Sequence, residues 1–270
     1  MKIPYRAMAA RAVDRAKTLI ATQSDDTLRY VALELRLALE FITYDRAQAY
    51  QEELPQELYG TWQPNKLMLT LIEIDPHADQ TSSMSLGLQD TQGAPSEDLN
   101  FLGTDNALSL ETIKRNYSAL GSYLHSPTQK QQNETGGPRF DKLRTRAEHL
   151  IEALDKVLSS EIWNVKFGPR LTLQCSWCGR DIVRRVKAED SEWRIRCLSC
   201  GGLHDTTKDK DKRVRTRPLQ TQIKCLNGTC GESFFIGTHQ VHESAHFACP
   251  ACSHAHVIQL GVTSSEVTTD

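Results

Sequence analysis

Eight cysteines, all within one third of the chain, constrain this 270-residue sequence more than any other feature. They form four pairs, in the segments CSWC, CLSC, CLNGTC and CPAC. Eighteen residues separate the first pair from the second, and eighteen separate the third from the fourth. Two thiolate pairs on short loops can enclose a Zn²⁺ ion in a tetrahedral shell of four cysteines. The repeated spacing therefore predicts two structural zinc ions per chain, held by Cys175, Cys178, Cys197, Cys200, Cys225, Cys230, Cys249 and Cys252.

Disulfide bonds are the main alternative for these thiols. They are typical of small secreted domains, but the N-terminal segment MKIPYRAMAARAVDRAKTLI lacks the apolar core of a signal peptide. No segment approaches the ~18 consecutive apolar residues that a membrane span needs. A thioredoxin-like redox role for CSWC or CPAC would need a βαβ context, which is missing. We therefore expect a cytoplasmic protein with reduced thiols and no membrane association.

The segments CSWCGR and RCLSCGG, followed by CLNGTC and CPAC, resemble tandem zinc ribbons over roughly residues 170–262. The resemblance implies antiparallel hairpins with the cysteines at their tips, and a metal rather than one particular function. Alternating apolar residues in RLTLQ, DIVRRV and EWRIR are typical of such strands. Gly179 and Gly201 directly follow two of the cysteine pairs, where we expect turns that need a positive φ.

Apolar residues recur at helical spacing in the first 160 residues and predict a mainly α-helical bundle there. Ser24 and Ser109 are placed to cap two of the helices. Residues 64–74 are ambiguous between strand and helix, and Pro64 favours the first turn of a helix. The pattern predicts four or five helices, over about residues 5–22, 24–53, 64–74, 109–124 and 138–160.

Between residues 76 and 107 the sequence is rich in Ser, Thr, Asp, Gly and Gln. This composition predicts a long irregular excursion from the bundle, with SMSLGL as a possible short strand. We expect a multi-domain α + β fold, in which a helical bundle precedes small all-β tandem zinc ribbons. The predicted domains are residues 1–160 for the bundle, 161–207 for the first ribbon, 208–220 for a basic linker, 221–262 for the second ribbon and 263–270 for a flexible tail.

Within the bundle, the segments RYVALELRLALE and KRNYSALGSYLH resemble HEPN-type helical bundles, many of which are RNases. The family motif is Arg-x₄₋₆-His, often with a polar residue after the arginine. Here Arg115 and Asn116 precede His125, with nine residues between the arginine and the histidine. The resemblance implies a helical bundle, but this wider spacing carries no catalytic assignment. The alternative is that Arg115 and Asn116 are solvent-exposed residues of a helix without a catalytic role.

The net charge of −2 hides a basic region, because residues 161–220 contain 14 Lys and Arg against 8 Asp and Glu. Basic residues that alternate along strands, with tryptophans nearby, could form a nucleic-acid-binding face. The alternatives are a solvated strand face, with Trp193 covering its hairpin, and a flexible linker in which Asp209 and Asp211 alternate with the basic residues. The candidate residues are Trp177, Arg180, Arg184, Arg185, Lys187, Arg194, Arg196, Lys212, Arg213 and Arg215.

The sequence contains no Walker loop, GxGxxG or GxSxG motif. Histidines near the second ribbon could supply another metal site or a catalytic base, but an open zinc site needs three protein ligands plus water. These histidines are His239, His242, His246, His254 and His256. We favour a non-enzymatic zinc-binding protein whose ribbons contact DNA or RNA while the helical domain mediates assembly with itself or a protein partner. A protein–protein adaptor with purely structural zinc and a HEPN-like RNase with zinc-ribbon RNA readers are the alternatives.

Overall fold

The chain divides into a helical unit and a β unit. The helical unit comprises Met1–Leu171 with Arg184–Val186, and the β unit comprises Thr172–Val183 with Lys187–Asp270. Helices in the first part and small sheets in the second confirm the α plus β layout that the sequence predicts. The computed structural model describes residues 3–55, 58, 60, 63–87, 99–129, 132–133, 139–166, 168–186, 190–211 and 213–259.

The described part of the helical unit contains α1 (Tyr5–Ile20), α2 (Asp25–Ala49), α3 (Pro64–Ile74), α4 (Leu110–Tyr123) and α5 (Phe140–Leu158). The long helix α2 packs against all four others and so lies at the centre of the bundle. Its residues Leu28, Leu35 and Leu39 are fully buried. The segment that was ambiguous in the sequence is the helix α3, with Pro64 in its first turn, where a missing N–H costs nothing.

Serine caps fix the starts of two helices. The side chain of Ser24 accepts a hydrogen bond from the backbone N–H of Asp26, and that of Ser109 accepts one from Thr112. Such caps satisfy N–H groups that have no partner within the first turn, so α2 and α4 begin where the sequence predicts. Helix α2 ends earlier than expected, at Ala49, and Pro138 at the predicted start of α5 lies outside the described residues.

The expected irregular excursion contains a hairpin of β1 (Ser82–Leu86) and β2 (Asn100–Asp105). At the end of β2, Asp105 is 1% exposed and accepts hydrogen bonds from both Nη atoms of Arg46, at 2.7 and 3.0 Å. The backbone N–H of Val165 donates to the same carboxylate at 3.0 Å. This bidentate pair joins the hairpin to α2. Removal of either partner would leave a buried charge unpaired.

Four small sheets follow in the chain. Strand β3 (Arg170–Gln174) pairs with β4 (Asp181–Arg185), and β8 (Gln220–Lys224) pairs with β9 (Ser233–Gly237). Strand β10 (His246–Ala248) pairs with β11 (Ala255–Val257). The three-stranded sheet consists of β5 (Glu192–Arg196), β6 (Leu203–Lys208) and β7 (Val214–Pro218).

Strand β7 lies within the segment that the sequence predicts to be a linker. It pairs antiparallel to β6, with Asp205 opposite Arg217 and Thr207 opposite Arg215. The segment therefore contributes an edge strand to a sheet. Among the described residues, no helix is both long and apolar enough to span a lipid bilayer.

Candidate metal centres

The first four cysteines converge at the ends of two hairpins. Cys175 and Cys178 lie between β3 and β4, and Cys197 and Cys200 lie between β5 and β6. The Sγ atoms of Cys175 and Cys200 are 3.7 Å apart, and those of Cys178 and Cys197 are also 3.7 Å apart. All four sulfurs lie within 4.8 Å of one another, so the two loops together form one four-cysteine cluster.

The second four cysteines form the same arrangement. Sγ of Cys225 lies 3.7 Å from Sγ of Cys252, and Sγ of Cys230 lies 4.0 Å from Sγ of Cys249. These four sulfurs also lie within 4.8 Å of one another. The longer loop CLNGTC therefore brings its two thiols together as the three shorter loops do.

The sulfur separations in both clusters fit a tetrahedral metal ion. Metal–sulfur bonds of about 2.3 Å place the sulfurs of a tetrahedral four-thiolate shell about 3.8 Å apart. A disulfide would require about 2.05 Å, and all eight cysteines are free thiols. Each cluster could hold one metal ion. No other group of three or more metal-binding side chains comes together in the part of the chain that the structure describes.

Ionisation of these thiols depends on burial and on backbone hydrogen bonds. Burial raises the pKa of the Cys200 thiol to about 12 and that of the Cys225 thiol to about 12. A hydrogen bond from the backbone of His254 lowers the pKa of Cys252 to about 7. Because a metal ion binds thiolates, its binding releases the protons of the neutral thiols. We therefore expect the affinity of both clusters for metal to fall as the pH falls.

Polar groups around the second cluster can orient its ligands. The ring Nε2 of the buried His256 lies 3.5 Å from Sγ of Cys225, and the ring stacks on Phe247 with the centroids 5.6 Å apart. The side-chain amide of Asn227 donates to Sγ of Cys252 at 3.8 Å. Donors aimed at a thiolate hold the ligand and tune its charge. The sequence suggested His256 only as a possible ligand, whereas the structure places it beside one.

An additional sequence match in this region is the segment HESAH, which has the HExxH spacing of many zinc metalloproteases. That motif works on a helix, where the two histidines share one face. Here the segment is a turn, with Ser244 at a φ of 64° and His246 already in β10. His242 and His246 do not come together with a third ligand among the described residues. Within the described ranges, the match therefore does not form a three-ligand zinc site.

Two of the candidate nucleic-acid residues on β4 are not on an exposed face. Arg184 is only 5% exposed. Arg185 belongs to the helical unit, where its Nη2 donates to the buried Glu53 at 3.0 Å. Strand β4 pairs with β3, whereas β5 pairs with β6. Arg184 therefore lies in a different sheet from Arg194 and Arg196.

Trp177 is partly covered by a neighbouring side chain. Its ring is half-buried, and its centroid lies 5.6 Å from that of His239. Gly202 leaves room for this indole, because a Cβ at that position would collide with it. Two further candidates, Lys187 and Lys212, lie outside the described residues.

An exposed row of arginines lies on the three-stranded sheet. Side chains alternate between the two faces of a strand, so Arg194 and Arg196 on β5 share a face with Arg215 and Arg217 on β7. Asp205 on β6 lies between them, 2.9 Å from Arg194 Nε and 3.8 Å from Arg217 Nη2. We call these five residues the arginine face. Arg217 was not predicted, although it alternates with Arg215 in the segment VRTRP.

The arginine face borders an open cleft of about 730 Å³ across all three strands. Glu192 and Asp205 lie on this side of the strands, and Asp209 Oδ2 lies 3.8 Å from Arg215 Nη2, so three carboxylates accompany the four arginines. Trp193 points to the opposite side and is half-buried, which fits its alternative role as cover for the hairpin. Arg180 and Arg213 are exposed but lie outside these strands.

The residues that carried the HEPN resemblance lie on α4 and just beyond its end. Arg115 is exposed on α4, and His125 is exposed just beyond the end of that helix. Asn116 is buried and accepts a hydrogen bond from Arg146 on α5 at 3.1 Å. Comparisons of the chain with family models, curated proteins and solved structures found no match in any of the three. The family names suggested by the motifs therefore have no support beyond the motifs themselves.

Proposed function

We propose that this chain is a non-enzymatic zinc-binding protein, in which two four-cysteine zinc ribbons hold a surface that contacts nucleic acid. Zinc is the metal that best suits a closed tetrahedral shell of four thiolates. The arginine face is the observation that carries the nucleic-acid proposal. Because Cys197 and Cys200 lie in the connection between β5 and β6, a bound ion fixes the strands that present this face.

The chemistry of the face suits phosphate groups. A guanidinium group donates two parallel hydrogen bonds to a phosphate, and it stays charged at all physiological pH values. The side chains of Arg194, Arg215 and Arg217 are 62%, 79% and 83% exposed. Asp205 lies close to two of them and limits their conformational freedom. Contacts of this kind position a nucleic acid through its backbone and do not read its sequence.

Titration of the zinc-loaded protein against labelled single- and double-stranded DNA and RNA at two salt concentrations tests this proposal. We expect affinity to fall steeply with salt, because phosphate contacts release counterions. The double variant Arg194→Ala, Arg217→Ala should bind more weakly at low salt. The slope of log affinity against log salt should become shallower by about 2.

The matched control removes two positive charges elsewhere. Arg29 and Lys66 are exposed on α2 and α3 of the helical unit, so Arg29→Ala with Lys66→Ala changes the net charge equally. This control should bind like the wild-type protein. Equal weakening by both double variants would show a nonspecific charge effect. Zinc-loaded protein that binds none of the four polymers would contradict the proposal and favour the protein–protein adaptor.

Assembly through the helical unit is the second part of the proposal. Helix α2 carries two exposed apolar side chains one turn apart, Tyr30 at 62% and Leu33 at 43%, which we call its apolar stripe. Exposed apolar groups on the central helix of a bundle are suited to contact another protein surface. We propose self-association through this stripe.

A further inference from the structure

A groove runs between α4 and α5 in the helical unit. Both helices pack against α2, but they contact each other much less. The space left between them has a volume of about 700 Å³. Its charged and polar lining includes Arg115 and Asn116 on α4 and Lys142, Arg146 and His149 on α5. We call this space the α4–α5 groove. It lies within one unit and shares no residue with the arginine face.

The lining of the groove is predominantly positive. Arg115, Lys142 and Arg146 contribute three cationic side chains. The acidic residue in the lining is Asp141, and its carboxylate accepts hydrogen bonds from Arg139 at 3.1 and 2.8 Å. Neither Arg115 nor Lys142 forms an ion pair with a carboxylate elsewhere in the described ranges. The groove therefore has uncompensated positive charge that an anion would balance.

One of the arginines is held in place by a buried residue. Arg146 is half-buried, and its Nη1 donates to the Oδ1 atom of Asn116 at 3.1 Å. Asn116 is 6% exposed, and its own amide donates to the backbone carbonyl of Thr112 at 2.8 Å. This chain of hydrogen bonds holds the Nη1 end of the guanidinium group in place. Its other N–H groups remain able to donate to a ligand.

The size and the base of the groove indicate more than a bare inorganic ion. Leu150 is 2% exposed and, with Ala153, gives the groove an apolar part beside its cationic part. Sites for small organic molecules typically occupy about 300–1,000 Å³ and combine apolar walls with a few placed polar groups. The groove has both properties.

We propose that the α4–α5 groove binds a small organic phosphate, with its phosphate group on Arg115, Lys142 and Arg146. A phosphate monoester carries nearly two negative charges near pH 7 and three acceptor oxygens. Two guanidinium groups and one ammonium group match that charge and that number of acceptors better than they match a single carboxylate. The carbon skeleton of the ligand lies against Leu150 and Ala153. This proposal does not depend on the zinc ribbons or on nucleic-acid binding.

Calorimetric titration of the full-length, zinc-loaded protein with glycerol 3-phosphate tests the proposal, at constant ionic strength. We expect saturable binding with a dissociation constant of about 1 mM or lower. Acetate and glycerol, titrated in the same way, should not bind. Arg115→Ala should weaken the binding about tenfold, because the variant loses a charge-assisted hydrogen bond. The exposed position of Arg115 means that the variant should keep its fold, and circular dichroism checks the helix content.

The matched control is Lys114→Ala, which removes an exposed cation one residue away on the same helix but outside the groove. This variant should bind glycerol 3-phosphate as the wild type does. Arg146→Ala should weaken binding at least as much as Arg115→Ala. Failure of the wild type to saturate, equal binding of acetate, or equal effects of Lys114→Ala and Arg115→Ala would each overturn the proposal.

Discussion

The residue after the second cysteine of each pair has a left-handed backbone. The φ angles are 73° at Gly179, 80° at Gly201, 62° at Gly231 and 59° at Ser253. In the first loop the N–H of Gly179 donates to the carbonyl oxygen of Cys175 at 2.9 Å, and in the other three loops the N–H also donates to the carbonyl four residues back. This confirms the positive φ that the sequence predicts for Gly179 and Gly201. It also shows why glycine occupies three of the four positions.

Substitution of Gly231 should weaken the second metal centre. Space is not the obstacle, because a Cβ at Gly231 would have no atom within 4 Å. A side chain in the left-handed region costs roughly 1–2 kcal/mol. Gly231→Ala should therefore lower zinc affinity about tenfold, as measured by competition with a chromophoric chelator.

Gly228 provides the control in the same loop. It has no atom within 4 Å of an added Cβ, and its φ is not positive. Gly228→Ala should change zinc affinity much less than Gly231→Ala does. Equal losses in the two variants would show that backbone conformation is not the cause.

Sequence spacing could predict the metal-binding thiols but not the side chains around them. The eight cysteines are close together because each hairpin returns its chain to the same end, a consequence of local spacing. His256 reaches Cys225 from 31 positions along the chain, and Arg185 reaches Glu53 across 132. Contacts at such separations follow from the packing of whole elements. The alternation of residue types along one strand does not predict such long-range contacts.

At the level of elements, the helices were the most predictable part. Their apolar periodicity and the caps at Ser24 and Ser109 are local properties, and α1 to α5 lie close to the predicted ranges. The possible strand SMSLGL overlaps β1, whereas β2 and β7 were not predicted as strands, because their sequences are mainly polar. β7 forms through pairing with β6, and β2 is held by the ion pair of Asp105 with Arg46. Contacts with residues distant in the sequence therefore determine whether these strands form.

Helix α2 provides the test of self-association. Substitution of the exposed Leu33 by Glu would place a charge in the apolar stripe without disturbing the buried residues of α2. We expect the sedimentation coefficient of the wild type to rise with protein concentration, and that of Leu33→Glu to remain at the monomer value. Leu69→Glu is the matched control and should associate as the wild type does, because Leu69 is 49% exposed but lies on α3. A monomeric wild type at all concentrations would contradict assembly through α2.

At the level of the whole molecule, the two units have different sources of stability. The helical unit has a core of buried residues on every helix, such as Val13, Leu35, Leu71, Leu120 and Leu154. The β unit consists of sheets with two or three short strands, which bury little apolar surface on their own. Its buried residues include two cysteines of each cluster, namely Cys175, Cys197, Cys225 and Cys249. Folding of the β unit should therefore be coupled to metal binding.

Native mass spectrometry tests the central claim, that the eight cysteines hold two zinc ions, most directly. It should be applied to the wild-type protein at neutral pH and to the variants Cys200→Ser and Cys252→Ser. We expect two zinc ions in the wild type and one in each variant, because each substitution removes a ligand from a different cluster. Two ions retained in both variants, or a metal-free wild type whose mass shows disulfide formation, would contradict the account.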